Sequence, residues 1–108
     1  MRKLLLNVAV SLDGFIEDAN GGFDWCFTDQ DYGMKAFFAR IDALFIGRKS
    51  YELALTMETA NANAGFPKME EYVFSNSLKE LKGDRILVSG DIESQVRAIK
   101  AKPGKDIW

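Results

Sequence analysis

Apolar residues run from Leu4 to Val10 with only Asn7 interrupting them, the pattern of a strand covered on both faces. The pattern then loosens. Ser11-Leu12-Asp13-Gly14-Phe15-Ile16 leads into a glycine-bearing loop, Asp18-Ala19-Asn20-Gly21-Gly22. From Asp29 or Asp31 the period changes: Met34, Phe37, Phe38 and Ile41 recur at three- and four-residue intervals, which predicts a helix with one apolar face. A second apolar run, 42–46, predicts a buried strand that stops at Gly47 and passes into a helix over 50–57. A long polar loop, 58–68, precedes short strands at 71–75 and 85–89. Asp91 is placed to cap a helix with Ile92, Val96 and Ile99 on one face, ended by Pro103-Gly104. Asp106-Ile107-Trp108 reads as a strand just begun. Strands alternating with helices predict one α/β domain over 1–108, a three-layer α/β/α arrangement around a mainly parallel sheet.

Composition narrows the chemistry. The 108 residues contain no histidine, which excludes Ser-His-Asp and Cys-His catalysis and most zinc sites. A single cysteine, Cys26, allows no internal disulfide and no multi-cysteine metal centre, and no basic neighbour activates it. Acid–base work therefore falls to Asp, Glu, Lys, Tyr or water. A net charge of −2 provides no general field for nucleic acid or an anionic membrane, so neither is an expected partner. The N-terminal run is interrupted by Asn7, soon followed by Asp13, and lacks a small-residue cleavage pattern; a first strand of a cytoplasmic protein is expected instead of a signal peptide.

The most informative stretch is Phe45-Ile46-Gly47-Arg48-Lys49-Ser50-Tyr51-Glu52. A strand turning at a glycine into a helix directs free backbone N–H groups at one point, where the helix dipole favours negative charge. Arg48 and Lys49 add two cations there, making a phosphate seat. The segment is neither GxxxxGK[ST] nor GxGxxG. A solvated basic turn is the plain alternative.

Three ordered segments carry a family resemblance. Val8-Ala9-Val10-Ser11-Leu12-Asp13-Gly14-Phe15-Ile16 is similar to the A-x-S-x-D-G-x-I passage of the dihydrofolate-reductase-like superfamily, in its riboflavin-biosynthesis reductase branch. Ile46-Gly47-Arg48-Lys49-Ser50-Tyr51-Glu52 resembles that branch's G-R-x-[ST]-[YFW]-E turn, and Val73-Phe74-Ser75-Asn76 its adenosine-side strand end. Trp25 closes the first loop as in folate reductases. The resemblance covers essentially the whole chain but only the N-terminal part of a typical member, which continues into a Gly-Gly turn for the cofactor pyrophosphate.

The resemblance implies NADPH as cofactor and a small heterocyclic, pyrimidine- or pterin-like substrate. It gives Ala9 a backbone contact to the nicotinamide carboxamide. Gly47 takes the close approach to phosphate, Arg48 and Lys49 the 2′-phosphate, and Ser50 and Ser75 cofactor contacts. Ser50 reads equally as a helix cap and Ser75 as a strand-end cap. Asp13 is a substrate contact or the acceptor of an Asx-type turn. The proton donor on the substrate side falls on Asp31, with Asp29 the neighbouring alternative and an N-cap the competing role for either. A non-catalytic nucleotide-binding or oligomerising module left by truncation is the rival reading. A flavodoxin-like domain is disfavoured, since no glycine- and hydroxyl-rich phosphate loop follows the first strand. An unpaired apolar sheet edge after Trp108 predicts a homodimer.

Overall fold

The computed structural model describes residues 1–60 and 66–108. Four parallel strands form one sheet: β1 (Ile41–Gly47), β2 (Glu70–Phe74), β3 (Ile86–Val88) and β4 (Asp106–Ile107), in the order β3-β2-β1-β4. The helices among the described residues are α1 (Met34–Arg40), α2 (Arg48–Thr59) and α3 (Ile92–Ala101). The α/β fold with a parallel sheet expected from the alternation of periods is the one observed.

The connections fix the layers. From β1 the chain steps through α2 to β2 on one side. From β3 it crosses back through α3 to β4 at the far edge. Right-handed crossovers in opposite directions place α2 and α3 on opposite faces. The packing agrees: Ile99 of α3 is buried with Ala43, Tyr72, Val88 and Ile107, with Phe45 and Phe74 packed against them. Strand alternation turns Val73 to the other face, where Tyr51 of α2 is also buried. Trp108, next after Ile107, faces that side too and stacks edge-on against Phe37 of α1 at 5.4 Å.

Several boundaries differ from expectation, each for a local reason. Leu4–Val10 does not form the expected strand. Only Leu4 bridges Ile107, with Leu5 N–H donating to Ile107 O and Ile107 N–H to Lys3 O, both 2.8 Å. In a parallel strand successive residues bond to opposite neighbours. Trp108 accordingly donates to Ala43 O (2.9 Å) and accepts from Phe45 N–H (2.7 Å), so its backbone serves β1, and the N-terminal segment meets β4 through Ile107. Leu6 is left 88% exposed, and Val8 and Val10 are exposed as well. The first helix starts at Met34, later than Asp29 or Asp31, because Tyr32 and Gly33 adopt left-handed backbone (φ 50° and 78°). The second helix starts at Arg48, two residues before Ser50, and continues to Thr59. Ser50 is therefore not the cap; Gly47 occupies that position. The loop expected at 58–68 begins inside α2, and 61–65 lie outside the described residues. Asp91 caps α3 as expected, its carboxylate accepting from Ser94 N–H at 3.2 Å.

The amino end of the sheet is tied by charge. Arg2, buried, donates to Asp42 and to Lys105 O; Asp42 also accepts from Lys105 N–H at 2.9 Å. Asp106 accepts from Lys3 N–H (2.9 Å) and Arg40 (3.2 Å). The Lys3 N–H first, helped by Arg40, holds its carboxyl below the usual carboxylate range against the opposing effect of burial.

Candidate functional site

In a parallel sheet every strand ends on the same side, and loops there converge. Here the carboxyl end gathers Gly47, Arg48, Lys49 and Ser50 from β1 and α2, and Ser75 from the end of β2. Asn7 and Val8 lie near this end beside Ile46 and Ser50, and Asn7 Nδ2 meets Met34, the first residue of α1, at 3.7 Å. The chain leaves β1 toward β2 on one side, while β4 flanks β1 on the other. The switch between these directions opens a crevice at the ends of β1 and β4, the place where open α/β sheets accept ligands.

The N-terminus of α2 breaks the usual rules of helix stability. Its N-cap, Gly47, supplies no side-chain bond, its first turn contains no acid, and its first two residues are cations at the positive end of the dipole. The same chain obeys the rules in α3, with Asp91 as cap, Glu93 in the first turn and Lys100 in the last. Among the described residues the carboxylate that pairs with these cations is that of Glu52, which takes Arg48 Nη1 at 2.9 Å, one turn along. Lys49 is exposed and has no ion-pair partner among the described residues.

Helix α2 is firmly seated. Tyr51 is buried, its hydroxyl accepting from Lys82 N–H at 3.0 Å, and the Arg85 guanidinium lies 5.6 Å from its ring centre. Arg85 also donates to Glu71, Glu58 and Lys82 O, joining α2, β2 and the approach to β3. Burial disfavours its charge, but the two carboxylates more than compensate and raise its pKa above the ordinary value.

Beside this seat is a cleft of about 640 Å³ between the N-terminal segment, β1 and α2. Leu6, Val8, Leu44, Ile46, Ala54 and Trp108 make most of its wall apolar; Asn7, Ser50 and Glu71 are its polar points. Trp108 donates from Nε1 to Asn7 O at 2.9 Å, which fixes the indole at the cleft wall. This volume and lining suit a flat, mostly apolar small molecule.

The other expected site residues are placed less tightly. Ala9 is exposed just beyond the cleft-lining Val8. Ser75 Oγ accepts from Ser77 and Leu78 N–H at 3.2 and 3.1 Å, the strand-end cap geometry. Asp13 accepts from Ser11 Oγ in a turn and lines a separate hollow of about 550 Å³ with Trp25. Asp31 accepts from Lys35 N–H at 3.1 Å, and Asp29 from the Tyr32 hydroxyl; neither lines the cleft. Trp108 and Glu52 were not singled out by sequence reasoning. The i,i+4 spacing of Arg48 and Glu52 was a readable signal, whereas nothing local marks Trp108 as a cleft wall.

Comparison with solved structures finds a protein of similar fold. The chain superposes with TM-score 0.73 and 26% identity on the crystal structure of a provisionally assigned riboflavin biosynthesis protein from Shewanella sp. PV-4, covering 93% of this chain and 59% of that one. Among curated proteins it is 37% identical to the uncharacterized protein YyaP and 27% identical to the uncharacterized protein YwjB, both of Bacillus subtilis strain 168. Each match takes in 99% of this chain, but the chain spans only about three-fifths of either relative, 61% and 62%. No protein-family model matches it. Among the described residues no helix is long and apolar enough to cross a membrane.

Proposed function

We propose that the chain forms the cofactor-binding part of an NADPH-dependent reductase of the dihydrofolate-reductase-like type, acting on a small pyrimidine- or pterin-like heterocycle. The observation that carries this reading is the α2 N-terminus: an uncapped helix start bearing Arg48 and Lys49, at the sheet's switch point and beside a cleft of ring-accommodating size. The sequence resemblance and the fold shared with the Shewanella protein support it. Gly47, Arg48, Lys49 and Ser50 would hold the phosphate-bearing end, with Ser75 beside them, and Ala9 would meet the nicotinamide amide. The cofactor supplies hydride; the protein binds, orients and excludes water, and Asp31 at the start of α1 supplies a proton from the substrate side. Asp13 would contact substrate from the adjoining loop.

The test is titration with NADPH and NADH by nicotinamide fluorescence, in the parent and in Arg48→Ala. A charge-assisted phosphate contact is worth roughly 1.5–3 kcal/mol. Arg48 is half-exposed and shares its charge with Glu52, so the expected loss is near the lower end, about tenfold for NADPH and much less for NADH. Equal losses for both cofactors would mean that Arg48 only holds the turn.

A second reading, nucleotide binding without turnover, draws on the absence of Asp13 and Asp31 from the cleft lining; NADPH binding with no oxidation of NADPH by any heterocycle tested would favour it. Association into a homodimer belongs to the same proposal, because Leu6, Val8 and Val10 expose apolar side chains beside the sheet. A concentration-independent monomer in sedimentation would remove that part.

A further inference from the structure

We infer that Glu52 is a specificity-determining residue of the phosphate seat: its carboxylate occupies Arg48 in the absence of ligand and must be displaced, or share the guanidinium, when a phosphate arrives. This rests on the reading of the α2 N-terminus given above and adds to it a built-in competitor. Arg48 Nη1 lies 2.9 Å from Glu52 Oε1, and both side chains are about half-exposed, 44% and 51%. Such a pair contributes little to helix stability on its own. Its polarity is also the less favourable one, with the cation toward the positive end of the dipole and the acid one turn inward. A weak, exposed pair in that orientation is easily exchanged for a dianion.

The chemistry distinguishes the two cations. Lys49, without an ion-pair partner among the described residues, is open to the ligand from the outset, whereas Arg48 becomes available only as Glu52 releases it. Glu52 thus lowers affinity for any phosphate near Arg48 in two ways, by holding the guanidinium and by repelling the incoming charge. A ligand with no phosphate at this point experiences neither effect. The acid therefore reduces the seat's preference for a nucleotide that carries the additional 2′-phosphate over one that lacks it.

The test is Glu52→Gln, which keeps size and helix propensity and removes the charge. Binding of adenosine 2′,5′-bisphosphate and of AMP is measured by calorimetry, alongside NADPH and NADH, in parent and variant. The bisphosphate and NADPH should tighten by about three- to tenfold, AMP and NADH by less than twofold, and the gain should fade as salt is raised to 0.5 M. Urea unfolding of both proteins separates this from fraying of α2, which would weaken all four ligands together. If the parent prefers NADPH but the variant leaves that preference unchanged or reduces it, the inference about Glu52 fails while the phosphate seat stands. If the parent prefers neither the bisphosphate over AMP nor NADPH over NADH, the seat itself fails and the inference with it.

Discussion

Tyr72 offers a prediction in which the sign of a mutational effect reverses with pH. Its side chain is buried (1% exposed) in the α3-side core, and its hydroxyl donates to Glu70 Oε1 at 2.7 Å. Burial first, then the bond to Glu70 and that residue's charge, push the phenol up to about 12 from an ordinary 10.0. The unfolded phenol therefore ionises near pH 10 while the folded one keeps its proton toward 12. Between those values the unfolded chain binds fewer protons, so this residue's contribution to stability is complete below pH 10 and declines as pH rises. At about 1.4 kcal/mol for each tenfold displacement, the total decline is on the order of 2–3 kcal/mol.

Tyr72→Phe keeps the ring, its edge contact with Phe45 and the nearby Lys102 ammonium, and removes only the hydroxyl. At pH 8 the variant should be less stable by about 1 kcal/mol, the net worth of one hydrogen bond. By pH 12 the order should invert, with the variant ahead by about 1–2 kcal/mol and the curves crossing at about pH 11. Urea unfolding followed by far-ultraviolet circular dichroism at several pH values measures this. Other tyrosines and lysines titrate alike in both proteins and drop out of the difference. A parent-minus-variant difference that stays constant from pH 8 to pH 12 would refute the reasoning.

Three further outcomes follow from the same geometry. Arg85→Met keeps the packing stem but strands Glu58 and Glu71, each about one-third exposed, and should destabilise by roughly 2–3 kcal/mol in urea, less than a fully buried pair would; adding Glu71→Gln should restore part of it, and a loss below about 0.5 kcal/mol would show the clamp to be idle. Asp31→Asn retains an oxygen for Lys35 N–H, so α1 and cofactor affinity should be unchanged while any reductase turnover falls at least tenfold; equal turnover would move the proton source to Asp29 or water. Trp108→Phe removes the indole N–H that holds Asn7 and should weaken ligand binding in the cleft by a few-fold, with little change at the phosphate seat, as read by the affinity for adenosine 2′,5′-bisphosphate.

Local pattern and tertiary structure contributed different things. Alternating periods were enough for an α/β domain with a parallel sheet, because strand and helix spacing are properties of neighbouring residues. Asp91 as a cap and Gly47 as the turn into the cation-bearing helix were readable for the same reason, since each acts within one helical turn. The start of α1 was misplaced because Tyr32 and Gly33 adopt left-handed backbone that no apolar period announces. The first strand was overestimated because a run such as Leu4–Val10 is only a candidate until a partner exists. Among the described residues the partner it meets is Ile107 of β4, through one bridge, while Trp108 bonds to β1. The cleft, its Trp108 wall and the Arg85 clamp join residues from distant parts of the chain, up to 101 positions apart for Trp108 and Asn7. Such contacts depend on the order β3-β2-β1-β4, a choice made by crossover handedness and burial of whole faces, to which no short stretch of sequence bears witness.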